Sequence, residues 1–382
     1  MRLSDDDYAA LDHRLAAHDA FLATRYPGER PGRQPVHTVY IPADRIGGFR
    51  EWGAQAQAAL DGCPPLPFPA ALADRVRAKL ATEPIEDLRI DFEDGYGVRD
   101  DDQEDATVKA AVAVLAEGPR PPFLGIRIKS LEAATRRRSL RTFDLFLSLY
   151  QQPFTVTLPK VSGTDQVAAM VALCETLERG YGLAAGTLTF EIQIELPSAV
   201  LGADGTATVA RLITAADGRC TGLHYGTYDY SAAAGVAAAY QAMDHPVADY
   251  AKAVVQAAAA GTGVRLSDGS TNILPVGSDV AVHDAWALHH RLVRRSLERG
   301  FYQGWDLHPA QLPTRFAATY AFFADGVDAA SIRLRRYLGR QSSGILDEPA
   351  TARALAGYLL RGLDCGALDE VGFTREELTA ML

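Results

Sequence analysis

The sequence predicts an α/β fold, a (β/α)8 TIM barrel with helical extensions at both ends. Three observations lead there. Eight short apolar, β-rich runs recur along the chain, each separated from the next by room for a helix, the pattern of repeated βα units. Charged side chains stand where several of these runs end, and barrel proteins carry their active groups on the loops that follow the strands. Finally, 382 residues that are 48% hydrophobic and 23% charged suffice for one large barrel with appendages.

Taken in order, residues 1–35 read as a helical N-terminal extension, 36–315 as the barrel and 316–382 as a helical tail. The expected strands are Val36 to Pro42, Asp87 to Phe92, Phe123 to Ile128, Phe154 to Lys160, Leu188 to Leu196, Thr221 to Gly226, Asn272 to Val276 and Gly304 to His308. Between them, Asp165 to Arg179, Thr206 to Ala216 and Asp279 to Arg299 carry apolar residues at helical spacing. The first interval also holds the proline cluster Cys63 to Ala70, a rigid loop, and the sixth holds a helical stretch from Pro246 to Ala260.

Composition excludes several classes. No apolar run reaches the length of a membrane span and the N-terminus lacks a hydrophobic signal core, so the expectation is a cytoplasmic protein with no membrane partner. A net charge of -10 argues against nucleic acid. The basic cluster Arg136, Arg137, Arg138 and Arg141 lies in a helix-like segment, either as a solvated face or as a site for a phosphorylated cofactor tail. Four scattered cysteines without a CxxC pair predict free thiols.

The chemistry concentrates at the strand ends. In the fifth strand, alternation sets Glu191, Gln193 and Glu195 on one face, with Glu195 at the terminus. The sixth runs into Asp229, so two carboxylates at neighbouring strand ends stand ready either to share a hard cation or to form an ion pair at the barrel mouth. The second strand ends in Asp91, Phe92, Glu93 and Asp94. Three carboxylates in four residues repel one another and need solvent, protons or cations; alternatively Asp94 caps the next helix. Arg127, between Ile126 and Ile128 at the end of the third strand, has the planar fork that clamps a carboxylate.

In order, these segments resemble the HpcH/HpaI aldolase and citrate lyase beta-subunit family, with its malyl-CoA lyase and malate synthase relatives. Val39-Tyr-Ile-Pro-Ala-Asp-Arg45 is similar to the family's first-strand segment, Asp91-Phe-Glu-Asp94 to its acidic motif, Ile126-Arg-Ile128 to its substrate arginine and Leu158-Pro-Lys160 to its Leu-Pro-Lys. Ile194-Glu-Leu196 resembles its metal-ligand glutamate, Gly226-Thr-Tyr-Asp-Tyr230 its metal-aspartate segment, His308-Pro-Ala-Gln311 its barrel ending and Gly344 to Pro349 the segment of its late catalytic aspartate. The chain departs from the pattern at Phe92, at Tyr228 and Tyr230, and at Leu196-Pro197 after the glutamate. Asp94 stands where the CoA-independent aldolase branch carries histidine.

The resemblance implies a metal-dependent carbon-carbon lyase that cleaves or forms a bond in a hydroxy or keto acid, free or as a CoA thioester. It implies Glu195 and Asp229 as ligands of Mg²⁺, or of Mn²⁺ in its place, and Arg127 as the residue that binds substrate and stabilises the enolate. Asp91 and Glu93 would contact or tune the substrate site, Lys160 would contact a substrate phosphate or carboxylate or else pair with the acidic motif, Asp94 would act beside the metal and Asp347 would be the catalytic base. It also implies a homo-oligomer, trimer or hexamer, in which Asp347 acts in cis or in trans. For Asp347 the other reading is a helix N-cap, since Asp-Glu-Pro precedes an alanine-rich segment. The alternatives in function are a malate synthase-like condensing enzyme, a thioesterase, or a catalytically inactive metabolite-binding barrel.

Overall fold

Eight parallel strands alternate with helices around a closed stave arrangement, in a computed structural model that describes residues 2–339 and 348–382. The strands are β1 (His37–Pro42), β2 (Asp87–Asp91), β3 (Phe123–Arg127), β4 (Thr155–Leu158), β5 (Thr189–Ile194), β6 (Cys220–Tyr225), β7 (Arg265–Ser267) and β8 (Gly304–Asp306). Their order in the sheet is β7-β6-β5-β4-β3-β2-β1-β8. A parallel bridge from Ser267 to Gln303 and two backbone bonds, Asp268 N–H to Gln303 O at 2.8 Å and Trp305 N–H to Gly269 O at 3.2 Å, draw β7 to β8 and complete the ring. The (β/α)8 expectation is met.

Seven of the eight strands lie within the expected runs or a residue beyond them; β7 does not. Asn272 to Val276 is a loop, with Ile273 and Val276 exposed, and the pairing strand is Arg265–Ser267 inside the interval read as an insertion. Three residues are too few to display a period. Their pairing with Gly222, Leu223 and His224 of β6 fixes them instead, and Pro275 would withhold a ladder donor from the run that looked more strand-like.

Alternation along the strands sends one set of side chains outward against the helices and the other into the barrel. In β5, Phe190, Ile192 and Ile194 are fully buried under the outer helices. Glu191 and Gln193 point the other way, and Glu191 meets Arg89 of β2 at 2.6 Å and His224 of β6 at 3.0 Å. Arg89 also pairs with Asp87 of its own strand, so the interior layer is an ion-paired plug. Helix Leu312–Leu338 follows β8 and packs against helices Asp279–Glu298 and Ala70–Thr82; it runs through position 316, where the tail was expected to begin.

At the N-terminus, helix Asp5–Arg25 is closed by a capping box between Ser4 and Asp7 and has no buried residue. The segment after it crosses the N-terminal ends of the strands. Gly28 N–H bonds Gly261 O, Gln34 Nε2 donates to Leu266 O and Arg265 Nη2 to Gly32 O at 2.9, 3.1 and 2.6 Å. All four cysteines are buried free thiols. Among the described residues, no helix is long and apolar enough to cross a membrane.

Candidate functional site

The C-terminal ends of β2 to β6 bring the expected side chains to one place. Arg127, the last residue of β3, is 6% exposed and gripped by Asp91, the last residue of β2: Nε donates to Oδ1 and Nη2 to Oδ2, both at 2.7 Å. Its Nη1 lies 3.2 Å from Glu93 Oε2, and the ring of Tyr40 stacks against the guanidinium at 4.9 Å. Asp91 is 1% exposed and also accepts the backbone N–H groups of Glu93 and Gly95, so its carboxylate is occupied in holding Arg127 and the following turn. The turn needs glycine at 95, where a Cβ would lie 2.6 Å from Asp91 Oδ2.

Beside this pair, Lys160 stands among carboxylates. Its Nζ lies 2.9 Å from Glu195 Oε2, 2.9 Å from Asp229 Oδ1, 3.0 Å from Asp94 Oδ2 and 4.0 Å from Glu93 Oε1. Lys160 follows β4 with φ at +52°, a left-handed conformation uncommon for a residue with a side chain. Glu195 holds it there by accepting its backbone N–H at Oε1 as well, at 3.1 Å. Asp229 arrives on helix Thr227–Ala233, which starts directly after β6 at Gly226. A Cβ at 226 would lie 2.9 Å from Glu195 Cβ, so glycine there lets the β6 terminus close on Glu195.

Ligand oxygens of Asp94, Glu195 and Asp229 all lie within 4.8 Å of one another. Glu195 is buried; Asp94 and Asp229 face solvent, so the cluster opens outward. Burial raises the Glu195 carboxyl against the pull of Lys160. Burial also pushes Glu93 up to about 8, with Arg127 opposing and Asp94 adding to the rise. At Asp229, burial works upward too, but hydrogen bonds from Lys160 and Glu195 outweigh it and its carboxyl falls below the usual range. Lys160 is raised: burial disfavours its charge, and the surrounding carboxylates more than restore it.

The donor set suits a hard divalent ion, being three carboxylates with open solvent for water or substrate oxygens. The Lys160 ammonium marks, with a single positive charge, where those carboxylates converge. The sequence paired Glu195 with Asp229 as sharers of one cation; that Asp94 and Lys160 converge on the same point needs the fold. Asp347 lies outside the described residues. Tyr40 was missed, because an aromatic in a β1 run carries no sign that it will stack on an arginine two strands away. His308 Nδ1 accepts the Ala310 N–H at 3.2 Å, capping the short helical turn that follows β8. Of the basic cluster, Arg136, Arg137 and Arg141 are exposed, as a solvated face requires, while buried Arg138 pairs with Asp101, Glu104 and Asp105 and Arg141 with Asp105, tying helix Arg136–Leu149 to helix Asp101–Ala116.

Solved structures share this fold. The chain is similar to CitE of Mycobacterium tuberculosis, solved in complex with magnesium, acetoacetate and coenzyme A, at 20% identity over 87% of this chain and 98% of that one, with a TM-score of 0.53. It is also similar to Haloferax volcanii malate synthase in its magnesium and glyoxylate complex, at 15% identity over 86% and 98% of the two chains, with a TM-score of 0.51. At such identities the likeness is one of fold. No curated protein matches the sequence. Residues 15–381 match the family described as a domain of unknown function, DUF6986, and the chain belongs to that family.

Proposed function

We propose that the chain is a Mg²⁺-dependent carbon-carbon lyase acting beside the keto or hydroxy group of a small acid, free or as its CoA thioester. One observation carries the reading: carboxylates from three separate strand ends, Asp94, Glu195 and Asp229, meet within 4.8 Å next to an arginine fixed at both ends of its fork. CitE and malate synthase, which share the fold, were solved with magnesium and small keto acids, and this supports the choice of ion and substrate class.

Glu195 and Asp229 would hold the ion, with Asp94 as a third carboxylate, and Mn²⁺ has the same preference for oxygen. When bound, the ion supplies Lewis-acid stabilisation of the oxygen on which enolate charge develops. Arg127, immobilised by Asp91 and Tyr40, presents its remaining N–H to the same oxygen or to the acid's carboxylate without reorganising. Lys160, once freed from the three carboxylates, is a cation within reach of the substrate's carboxylate, and Glu93 flanks both cations. In the cleavage direction a base takes the hydroxyl proton, the carbon-carbon bond breaks to a carbonyl and an enolate, and the enolate is reprotonated. Asp347 is assigned as that base by family resemblance, in cis or from a neighbouring subunit of a homo-oligomer. Run in reverse the step is a condensation, and the shared fold with malate synthase keeps that direction in the test.

Titration calorimetry of Mg²⁺ with oxaloacetate, pyruvate and glyoxylate, each with and without acetyl-CoA, tests the reading on wild type and Glu195→Gln. The expected result is keto-acid binding that requires Mg²⁺ and weakens at least 100-fold in the variant, followed by turnover of the acid that binds. Metal-dependent binding without turnover of any panel member would instead mark an inactive metabolite-binding barrel. No metal-dependent binding to wild type sinks the lyase reading.

A further inference from the structure

The N-terminal end of a barrel is ordinarily filled and serves stability. Here it is hollow. Between the first residues of β2 to β7 lies a cavity of about 420 Å³, at the opposite pole from the carboxylate cluster and distinct from it in every lining residue. Its walls include Phe123, Leu124, Phe154 and Leu188, and the ion-paired Arg89, Asp87 and Glu191 form its inner limit.

Two further arginines, Arg30 and Arg265, line the same cavity. Among the described residues neither has a carboxylate partner. Arg265 uses Nη2 on the carbonyls of Pro31 and Gly32, and Arg30 donates Nε to Gly263 O at 3.4 Å, which leaves other guanidinium nitrogens of both uncommitted. The buried arginines differ: Arg89, Arg127, Arg138, Arg219 and Arg315 are all paired with carboxylates, whereas Arg30 is exposed and Arg265 partly buried at the cavity's edge. Burial, and then the charge of Arg30, hold Arg265 below the usual guanidinium range although Glu191 and Asp364 act against this, and an anion set between the two arginines would add to that opposing pull.

We propose that this cavity binds a small organic anion with an apolar body, its acid group against Arg30 and Arg265 and its hydrocarbon against Phe123, Leu124, Phe154 and Leu188. The guanidinium fork matches a carboxylate, and the volume falls in the range of roughly 300–1,000 Å³ typical of small-molecule sites. The site is independent of the lyase reading, since none of its residues touches the carboxylate cluster.

The test is calorimetric titration of the full chain with octanoate, n-octanol and inorganic phosphate. Arg30→Gln removes one charge at the small loss of a single long hydrogen bond, and Leu183→Trp, at a partly exposed wall position, fills the cavity without touching either arginine. Octanoate is expected to bind wild type at least tenfold tighter than octanol or phosphate, to weaken at least tenfold in each variant, and to bind Glu195→Gln as it binds wild type. Octanoate binding that both variants leave intact, octanol or phosphate binding as tightly, loss of octanoate binding in Glu195→Gln, or no saturable octanoate binding would each overturn the proposal.

Discussion

The barrel's mouth and its interior layer are built from the same residue types with opposite charge balance. In the interior, Arg89 spans Asp87 and Glu191, and His224 adds a second contact to Glu191; Trp305 Nε1 donates to His224 Nδ1 at 3.1 Å, which places the imidazole proton on the nitrogen that faces Glu191. At the mouth, among the described residues, Asp91, Glu93, Asp94, Glu195 and Asp229 pair only with Arg127 and Lys160. The interior is close to neutral and complete. The mouth carries surplus negative charge, and three of its carboxylates crowd one ammonium. A fold can carry such an imbalance at a solvent-open rim far more easily than in its core, and it is the imbalance that makes the rim a cation site.

Mutations should divide along that line. The largest expected effect is in the interior: Glu191→Gln leaves Arg89 short of a buried counter-charge and weakens the contact to His224, so unfolding free energy should fall by about 3–5 kcal/mol in denaturant titration while Mg²⁺ binding by the folded protein is unchanged. Altered metal affinity in that variant would break the comparison.

A second structural pair sharpens it through pH. Hydrogen bonds from Arg219, with help from the Leu188 and Gly186 amides, hold Glu178 down to about 2. A depressed carboxyl stabilises the fold above its unfolded value, near 4.5, and that contribution disappears as pH falls toward the folded value. Glu178→Gln should therefore be less stable than wild type by about 2–3 kcal/mol at pH 7, with the gap narrowing from about pH 5 to pH 2; a gap independent of pH would show that the ion pair contributes little.

At the mouth, effects should appear in binding. Arg127→Lys keeps the charge but loses the two-point grip of Asp91, so keto-acid affinity in the presence of Mg²⁺ should drop about 10- to 30-fold, or about 1.4–2 kcal/mol, with Mg²⁺ affinity itself within a factor of about three. Lys160→Met removes the resident charge that a divalent ion must displace. Mg²⁺ should then bind about tenfold tighter in calorimetry without acid, and weaker binding would show that Lys160 organises the carboxylates instead of competing for them.

The legible parts of the sequence were those with local signals. Strand runs ending in charge announced six of the site positions, because a strand's alternation and its last residue can be read without knowing its neighbours. β7 failed that test, its three residues Arg265–Ser267 holding a single apolar side chain, and so did Arg138 and Arg141, whose acidic partners lie more than 30 positions upstream on another helix. Nothing in the strand run itself marks Arg89; that it closes the interior depends on Glu191, 102 positions away.

By itself, then, the sequence determined the repeated βα order, the exclusion of a helical membrane span from the described fold, and which carboxylates and cations stand at strand ends, since these follow from periodicity, composition and spacing. Tertiary structure decided what each charge faces. Closure of the ring placed Asp94, Glu195 and Asp229 around Lys160, gave Asp91 to Arg127, and left Arg30 and Arg265 with no ion-paired carboxylate among the described residues beside a hollow N-terminal end. The reason is the short reach of electrostatic and hydrogen-bond interactions compared with the sequence separation of the groups: partners within 3 Å in space come from strands 30 to 100 residues apart, and only the packed barrel fixes that distance.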